Sequence, residues 1–515
     1  MSHTGPSPIA VSTIAVSTGR PLGTIDRKLF GGFVEHLGHC VYGGLYDEGS
    51  PLADKHGFRQ DVLGLLRDLR LGVLRWPGGN FVSNYHWQDG IGPKDARPRR
   101  PELAWGGEEP NRFGTDEFMA YCAELGPEPD SVAPYVCLNM GTGTLAEALA
   151  WVEYCNSARN TYWADRRREN GRDEPYRVRY WALGNEMYGD WQVGQLSAEE
   201  YVREATRWAR AIRMLDPEAQ LIGCGETGWT EWDRVVIDGL AGLVDYHSVH
   251  LYTGSDDYWT NVLTPHQAER AISAAGALLD RAAYLRGLPR TAAIAYDEWN
   301  VWYRTMTVDL AERYTHADAL AVATYLNIFV RNCARVRMAN LAQMVNAIAP
   351  IVATPSSAVA QPIYYPFLLH ARAALDLAVD AHVDGALVPP EASRFRPDAS
   401  RWPHRIADLG PFTLVDATAS VSADRRRIAV TLVNRGLEAE PARLVLRDAA
   451  FDGAAAITTL TAGSADDLEA GDARPMPDVA AAHLAHDSER AHGALLALTL
   501  PPQSFCVIEA RVAAS

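Results

Sequence analysis

The stretch "VRYWALGNEMYG" (178–189) decides how the chain is read. Mostly apolar residues run up to Gly184, and then an amide and a carboxylate, Asn185 and Glu186, stand side by side. A strand apolar on both faces belongs to a parallel sheet covered by helices. A charged group at its end is costly inside a core unless something uses it. Seven further runs share this form: 29–35, 73–80, 133–141, 220–226, 246–252, 292–299 and 336–346. Amphipathic stretches such as "SAEEYVREATRWARAIRML" (197–215) separate them, with apolar residues at helical spacing. Eight strand–helix units predict an α/β fold, a (β/α)8 TIM barrel.

The last 140 or so residues read differently. Alternating runs at 426–435, 442–449 and 494–512, split by Gly, Asp and Pro clusters, predict a C-terminal antiparallel β-sandwich domain. The early run "IAVSTIAVST" (9–18) is strand-like and precedes the barrel, so it is expected to join that sandwich. The expected division is 1–19, an N-terminal strand of the sandwich; 20–372, the barrel; and 373–515, the sandwich. The stretch 461–478 reads as a mobile surface loop.

Composition excludes several functions. With 48 basic and 64 acidic residues the chain carries a net charge of -16, the wrong sign for a nucleic-acid partner. No run approaches the roughly 18 apolar residues of a membrane span. Seven scattered cysteines without a CxxC pair suit reduced thiols and a cytoplasmic protein.

Chemistry in such a barrel gathers at the C-terminal strand ends. These ends offer Glu35, Asn80, Asn139, Asn185 with Glu186, Glu226, His250 with Tyr252, Glu298, and Gln343 or Asn346. Glu186 ends the fourth strand and Glu298 the seventh, and ends three strands apart can face each other across the mouth. Two facing carboxylates cleave glycosidic bonds: one protonates the leaving oxygen, the other attacks carbon or activates water. Trp181, Trp299 and Trp302 flank them as faces on which sugar C–H groups can stack. Either glutamate alone reads more simply as a surface carboxylate; together they point to a catalytic pair. Glu298 is expected to raise the pKa of Glu186, since a like charge disfavours ionisation.

Rival readings are weaker. "GTGTLA" (141–146) mimics a dinucleotide-binding turn of an NAD-dependent oxidoreductase, but it sits in the third unit and no acidic residue follows at the right spacing. It reads as a barrel turn. His247 and His250 point to opposite faces of a strand, so they do not share a metal. His36 reads as a partner of Glu35. A non-catalytic sugar-binding protein would not need both glutamates. No metal or organic cofactor is expected.

"FGGFVEHLGHCVYGGLYDEG", "RWPGGNFVSNYHWQDGIGP", "GNEMYGDWQVG", "HSVHLY" and "DEWNVWY" together resemble glycoside hydrolase family 51, the α-L-arabinofuranosidases. The resemblance spans essentially the whole chain. It implies retaining, exo-acting hydrolysis of arabino-oligosaccharides inside the cell by a homo-oligomer, a hexamer. Glu186 would be the acid/base and Glu298 the nucleophile. Glu35, Asn80, Asn185 and Tyr252 would hold the furanose hydroxyls, with Trp105, Trp302 and Gln361 lining the pocket. His250 would hydrogen-bond a catalytic carboxylate. A related β-D-galactofuranosidase or an endo-glucanase on the same fold is the alternative. "ETGWTEWDRVV" (226–236) looks shorter than the family's loop there, and "WGGEEPN" (105–111) also departs from its pattern.

Overall fold

The computed structural model describes residues 11–126, 131–305, 310–392, 405–463 and 482–513. Eight parallel strands close into a barrel in chain order: Gly31–Phe33, Val73–Trp76, Ala133–Leu138, Tyr180–Leu183, Gln220–Gly223, Tyr246–Thr253, Ala293–Val301 and Val336–Ala342. Every one falls within a run expected from the sequence or overlaps it closely. Helices follow each strand. Several start on the signal expected of them: Ser197, Thr230 and Thr315 each cap a helix while an acidic residue three positions on reaches back.

Strand parity divides the side chains. Val73, Tyr135, Cys137, Ala182, Ile222, Tyr246, Ala295 and Met338 point inward and form one cluster that fills the barrel. Their neighbours, among them Leu74, Val136, Trp181, Leu183, Val249 and Trp299, point outward to the helices. The polar groups described below lie one step above the inner cluster, towards the C-terminal mouth. "GTGTLA" closes the third strand onto helix Leu145–Asn156, with Thr144 as its cap. A Cβ on Gly141 would lie 2.4 Å from the carbonyls of Ser83 and Val193, so this glycine serves loop packing. The turn belongs to the barrel, as read.

Apart from two short two-stranded ribbons, Arg100–Pro101 with Glu108–Glu109 and Ile351–Ala353 with Ala358–Ala360, the remaining strands form one nine-stranded sheet. In spatial order they are Ala482–Arg490, Ala454–Ala462, Ser504–Arg511, Arg427–Asn434, Val415–Val421, Leu377–Asp384, Ser12–Thr24, Glu440–Leu446 and Leu495–Leu500. All neighbours are antiparallel except Ser12–Thr24 with Glu440–Leu446, which run parallel. Side chains from eight of the nine strands share one hydrophobic cluster, so the sheet folds over on itself as a sandwich. The first strand does enter it, between two C-terminal strands, and runs on to Thr24. The single run expected over 494–512 is two strands. Pro501 and Pro502 break it, because proline cannot donate to a ladder. The loop expected over 461–478 lies almost wholly outside the described residues. All seven cysteines are buried and free. Among the described residues no helix is long and apolar enough to cross a membrane.

Sheet and barrel meet over helix His316–Arg331. Asn327 donates to Asp416 Oδ2 at 2.7 Å and accepts from Thr431 at 2.7 Å. Arg331 Nη1 reaches both Asp416 oxygens at 3.0 Å. His370 stacks on Phe505, ring centres 4.8 Å apart. Removing Asp416 leaves Arg331 with Glu269 as its remaining carboxylate and the buried Asn327 amide without its acceptor. Asp416→Ala is therefore expected to cost about 3 kcal/mol of stability by urea unfolding. A loss below about 1 kcal/mol would show that the contact behaves as a solvent-exposed pair rather than a buried one.

Candidate active site

The fourth strand ends at Leu183, and the chain turns at Gly184, whose φ is +79°. Glu186 itself sits at φ +45°. A left-handed conformation costs a non-glycine residue about 1–3 kcal/mol and is held only where the surroundings impose it. Here it aims the carboxylate into the mouth. Trp191 Nε1 donates to Glu186 Oε2 at 3.1 Å, and His250 Nδ1 lies 2.9 Å from Oε1.

Glu298 arrives by a different device. Strand seven pairs Ala295 with Ser248 and Glu298 with His250, three residues against two. This bulge lets Asp297 and Glu298, neighbours in sequence, both face the site. Arg75 Nη1 donates to Glu298 Oε1 at 2.7 Å, and the Tyr252 hydroxyl donates to Oε2 at 2.8 Å. Oxygens of Glu186 and Glu298 and a His250 ring nitrogen all lie within 4.8 Å of one another. Such a trio could hold a cation among the described residues. Arg75 already brings a positive charge to Glu298, however, and the imidazole hydrogen-bonds directly to Glu186. The arrangement suits proton sharing better.

Asp297 completes the centre. Tyr135 donates to its Oδ2 at 2.6 Å, Ser248 donates to its Oδ1, and His250 Nε2 lies 3.4 Å from Oδ1. Burial opposes ionisation of Asp297, yet Arg75, His250 and Ser248 hold its pKa below the usual carboxylate range. Burial would likewise lower His250. Glu298, Asp297 and Glu186 overturn this and push it up to about 10. The expectation for Glu186 is corrected. Burial does favour its neutral form, but the hydrogen bond and charge of His250 prevail and its pKa is lowered. Nothing in the sequence spacing places the His250 ring against Glu186, 64 positions away.

Glu35 forms the opposite wall and is 2 % exposed. Phe81 N at 2.9 Å and Trp105 Nε1 at 3.0 Å donate to its Oε1, and Gln343 Nε2 donates to Oε2 at 2.9 Å. Burial, assisted by Glu298, pushes its pKa up to about 8. The "PGGN" motif has a steric reason: a Cβ on Gly79 would stand 2.3 Å from Glu35 Oε2. Asn80 accepts from Gln192 and, at 3.4 Å, from Asn185. Asn185 accepts from Arg75 Nη2 at 2.6 Å. Tyr252 and Trp302 meet edge to face, ring centres 5.3 Å apart.

Thus Glu35, Asn80, Trp105, Asn185, Glu186, His250, Tyr252, Trp302 and Glu298 come together. Gln361 is fully buried and bonds to backbone instead: it donates to Ala349 and Glu312 carbonyls and accepts from Tyr314 N. His36 is not a partner of Glu35; it pairs with Glu109 at 2.9 Å and accepts from Trp76. Trp181 and Trp299 belong to the outer core, while Trp191, more than half exposed, stands at Glu186. The reading missed Arg75, Asp297, Ser248 and Gln192. An arginine amid "VLRW" and the doubled acid of "YDEW" were the available signals. Gly79→Ala is expected to displace Glu35 and lower kcat/KM at least tenfold while Tm shifts by only a few degrees. Unchanged kcat/KM would show that Glu35 has slack.

Two family models match the chain: the α-L-arabinofuranosidase 1 domain over residues 65–270 and the α-L-arabinofuranosidase C-terminal domain over 297–504. The α-L-arabinofuranosidase C of Emericella nidulans is 43 % identical over 449 residues, covering 83 % of this chain and 86 % of that protein. An intracellular exo-α-(1→5)-L-arabinofuranosidase of Streptomyces lividans is 38 % identical over 435 residues, 80 % of this chain and 63 % of that one. The solved thermostable family 51 α-L-arabinofuranosidase of Thermotoga petrophila superposes with a TM-score of 0.85 at 37 % identity, covering 97 % of this chain and 99 % of its own. The chain belongs to glycoside hydrolase family 51 and is an α-L-arabinofuranosidase.

Proposed function

We propose that this enzyme removes terminal non-reducing arabinofuranosyl residues from arabino-oligosaccharides by double displacement with retention. The observation that carries this is the approach of the two carboxylates, oxygen to oxygen within 4.8 Å. Retaining pairs stand about 5–5.5 Å apart, whereas inverting pairs need about 6.5 Å or more to admit a water. Glu298, held by Arg75 and Tyr252, attacks the anomeric carbon. Glu186 protonates the leaving oxygen and then deprotonates the water that frees the sugar. Glu35, Asn80 and Asn185 bind the furanose hydroxyls, and the Tyr252–Trp302 edge offers an apolar wall. Trp105 acts through its bond to Glu35, and Gln361 braces the loops beneath. The exo-acting Streptomyces lividans relative supports terminal attack.

Glu298→Ala should abolish turnover of every furanoside. Glu186→Ala should keep the first step on nitrophenyl substrates, which need little protonation. Added azide should then restore turnover and give the retained glycosyl azide. Retained azide from Glu298→Ala, with inverted azide from Glu186→Ala, would reverse the roles. No rescue in either would remove Glu186 as acid/base.

We also place the enzyme in the cytoplasm, as a hexamer. The free buried thiols and the intracellular Streptomyces relative support the first, and the family resemblance supports the second. Light scattering at micromolar concentration should give about six times the 56.4 kDa chain mass; the mass of one chain would overturn the assembly.

A further inference from the structure

Beneath the two glutamates lies a continuous line of polar contacts that their proposed roles do not use. Asp297 Oδ1 faces His250 Nε2 at 3.4 Å, and His250 Nδ1 faces Glu186 Oε1 at 2.9 Å. Both ring nitrogens thus meet carboxylate oxygens. An imidazole with one proton leaves one of these contacts as lone pair against lone pair. Only the doubly protonated ring satisfies both. Asp297 cannot turn away, because Tyr135 and Ser248 pin its two oxygens.

We propose that Asp297 is a positioning residue that keeps His250 charged, making His250 the proton store for Glu186. This rests on Glu186 being the acid/base. In the resting enzyme the shared proton sits on Nδ1. As substrate binds, the Nδ1–H bond breaks and an O–H bond forms on Glu186 Oε1. That O–H bond breaks in turn as the leaving oxygen takes the proton and the glycosidic bond opens. In the second step the attacking water gives its proton to Glu186, and Nδ1 recovers it. No proton is gained or lost over the cycle beyond those of water.

The groups facing His250 are Glu186 from the fourth strand's end, Asp297 and Glu298 from the seventh, Arg75 from the second and Tyr252 on its own strand. Tyr135 on the third acts through Asp297. Three carboxylates favour the imidazolium and one guanidinium opposes it. Removing one carboxylate charge must lower the proton affinity of the pair. The sign follows: the alkaline limb of the pH profile, where the pair loses its proton, moves down.

The test is Asp297→Asn, assayed for kcat/KM against pH with aryl arabinofuranosides of graded leaving-group pKa. The alkaline limb should fall by at least one pH unit. Poor leaving groups should lose at least tenfold and 4-nitrophenol under threefold. Uniform loss with an unmoved limb would overturn the proposal and leave Asp297 merely structural. Should Asp297→Asn not fold, Ser248→Ala, which removes one of the pins, must move the limb in the same direction; an unmoved limb there overturns the proposal equally. Glu186→Ala in the same series separates the two claims. If it shows no leaving-group dependence, the acid/base assignment has failed. If it shows dependence and Asp297→Asn does not, only the proton store has failed.

Discussion

Arg75 is a permanent positive charge, 1 % exposed, inside the barrel. Taking such a group out of water costs several kcal/mol unless its donors find partners. Its partners come from two other strands: Glu298 at 2.7 Å on the seventh and Asn185 at 2.6 Å after the fourth, with the Asp297 carbonyl at 3.3 Å. The guanidinium also lies over the Phe33 ring of the first strand, 4.3 Å from its centre. One side chain therefore sets the spacing between the two ends that carry chemistry. It also holds Glu298 Oε1 in a charge-assisted hydrogen bond.

The centre is built so that its carboxylates differ. Glu298 and Asp297 share a guanidinium. Glu186 shares an imidazolium. Glu35 stands farther from both and has neutral donors around it, so burial dominates and its pKa rises to about 8. A protonated Glu35 can both donate and accept.

The barrel was legible because its strands are short apolar runs and its helices carry ordinary caps. The site was legible at the strand ends, where a polar residue after a buried run is conspicuous. One layer down it was not. Arg75 and Ser248 lie within strands and look like ordinary variation in an apolar run. Asp297 was hidden by parity: next to an inward Glu298, it should face out, and only a bulge returns it. The same parity sends Trp181 and Trp299 into the outer core although they flank the site in sequence. Trp191 and Gln192 sit in a loop, where spacing carries no direction. The reversed shift of Glu186 has the same origin, since it depends on a contact between residues 64 positions apart.

The strand Ser12–Thr24 lies between Leu377–Asp384 and Glu440–Leu446, deep in the C-terminal sheet. During synthesis it precedes its first partner strand by some 360 residues. At translation rates of about 5–20 residues per second this is a wait of roughly 20–70 s. Throughout that interval an apolar segment with open hydrogen-bonding edges is available to any other chain. The barrel can close while the strand waits, because all eight of its own strands, Gly31 to Ala342, precede Leu377. The sheet cannot. Its maturation is tied to strands that follow the barrel in the chain.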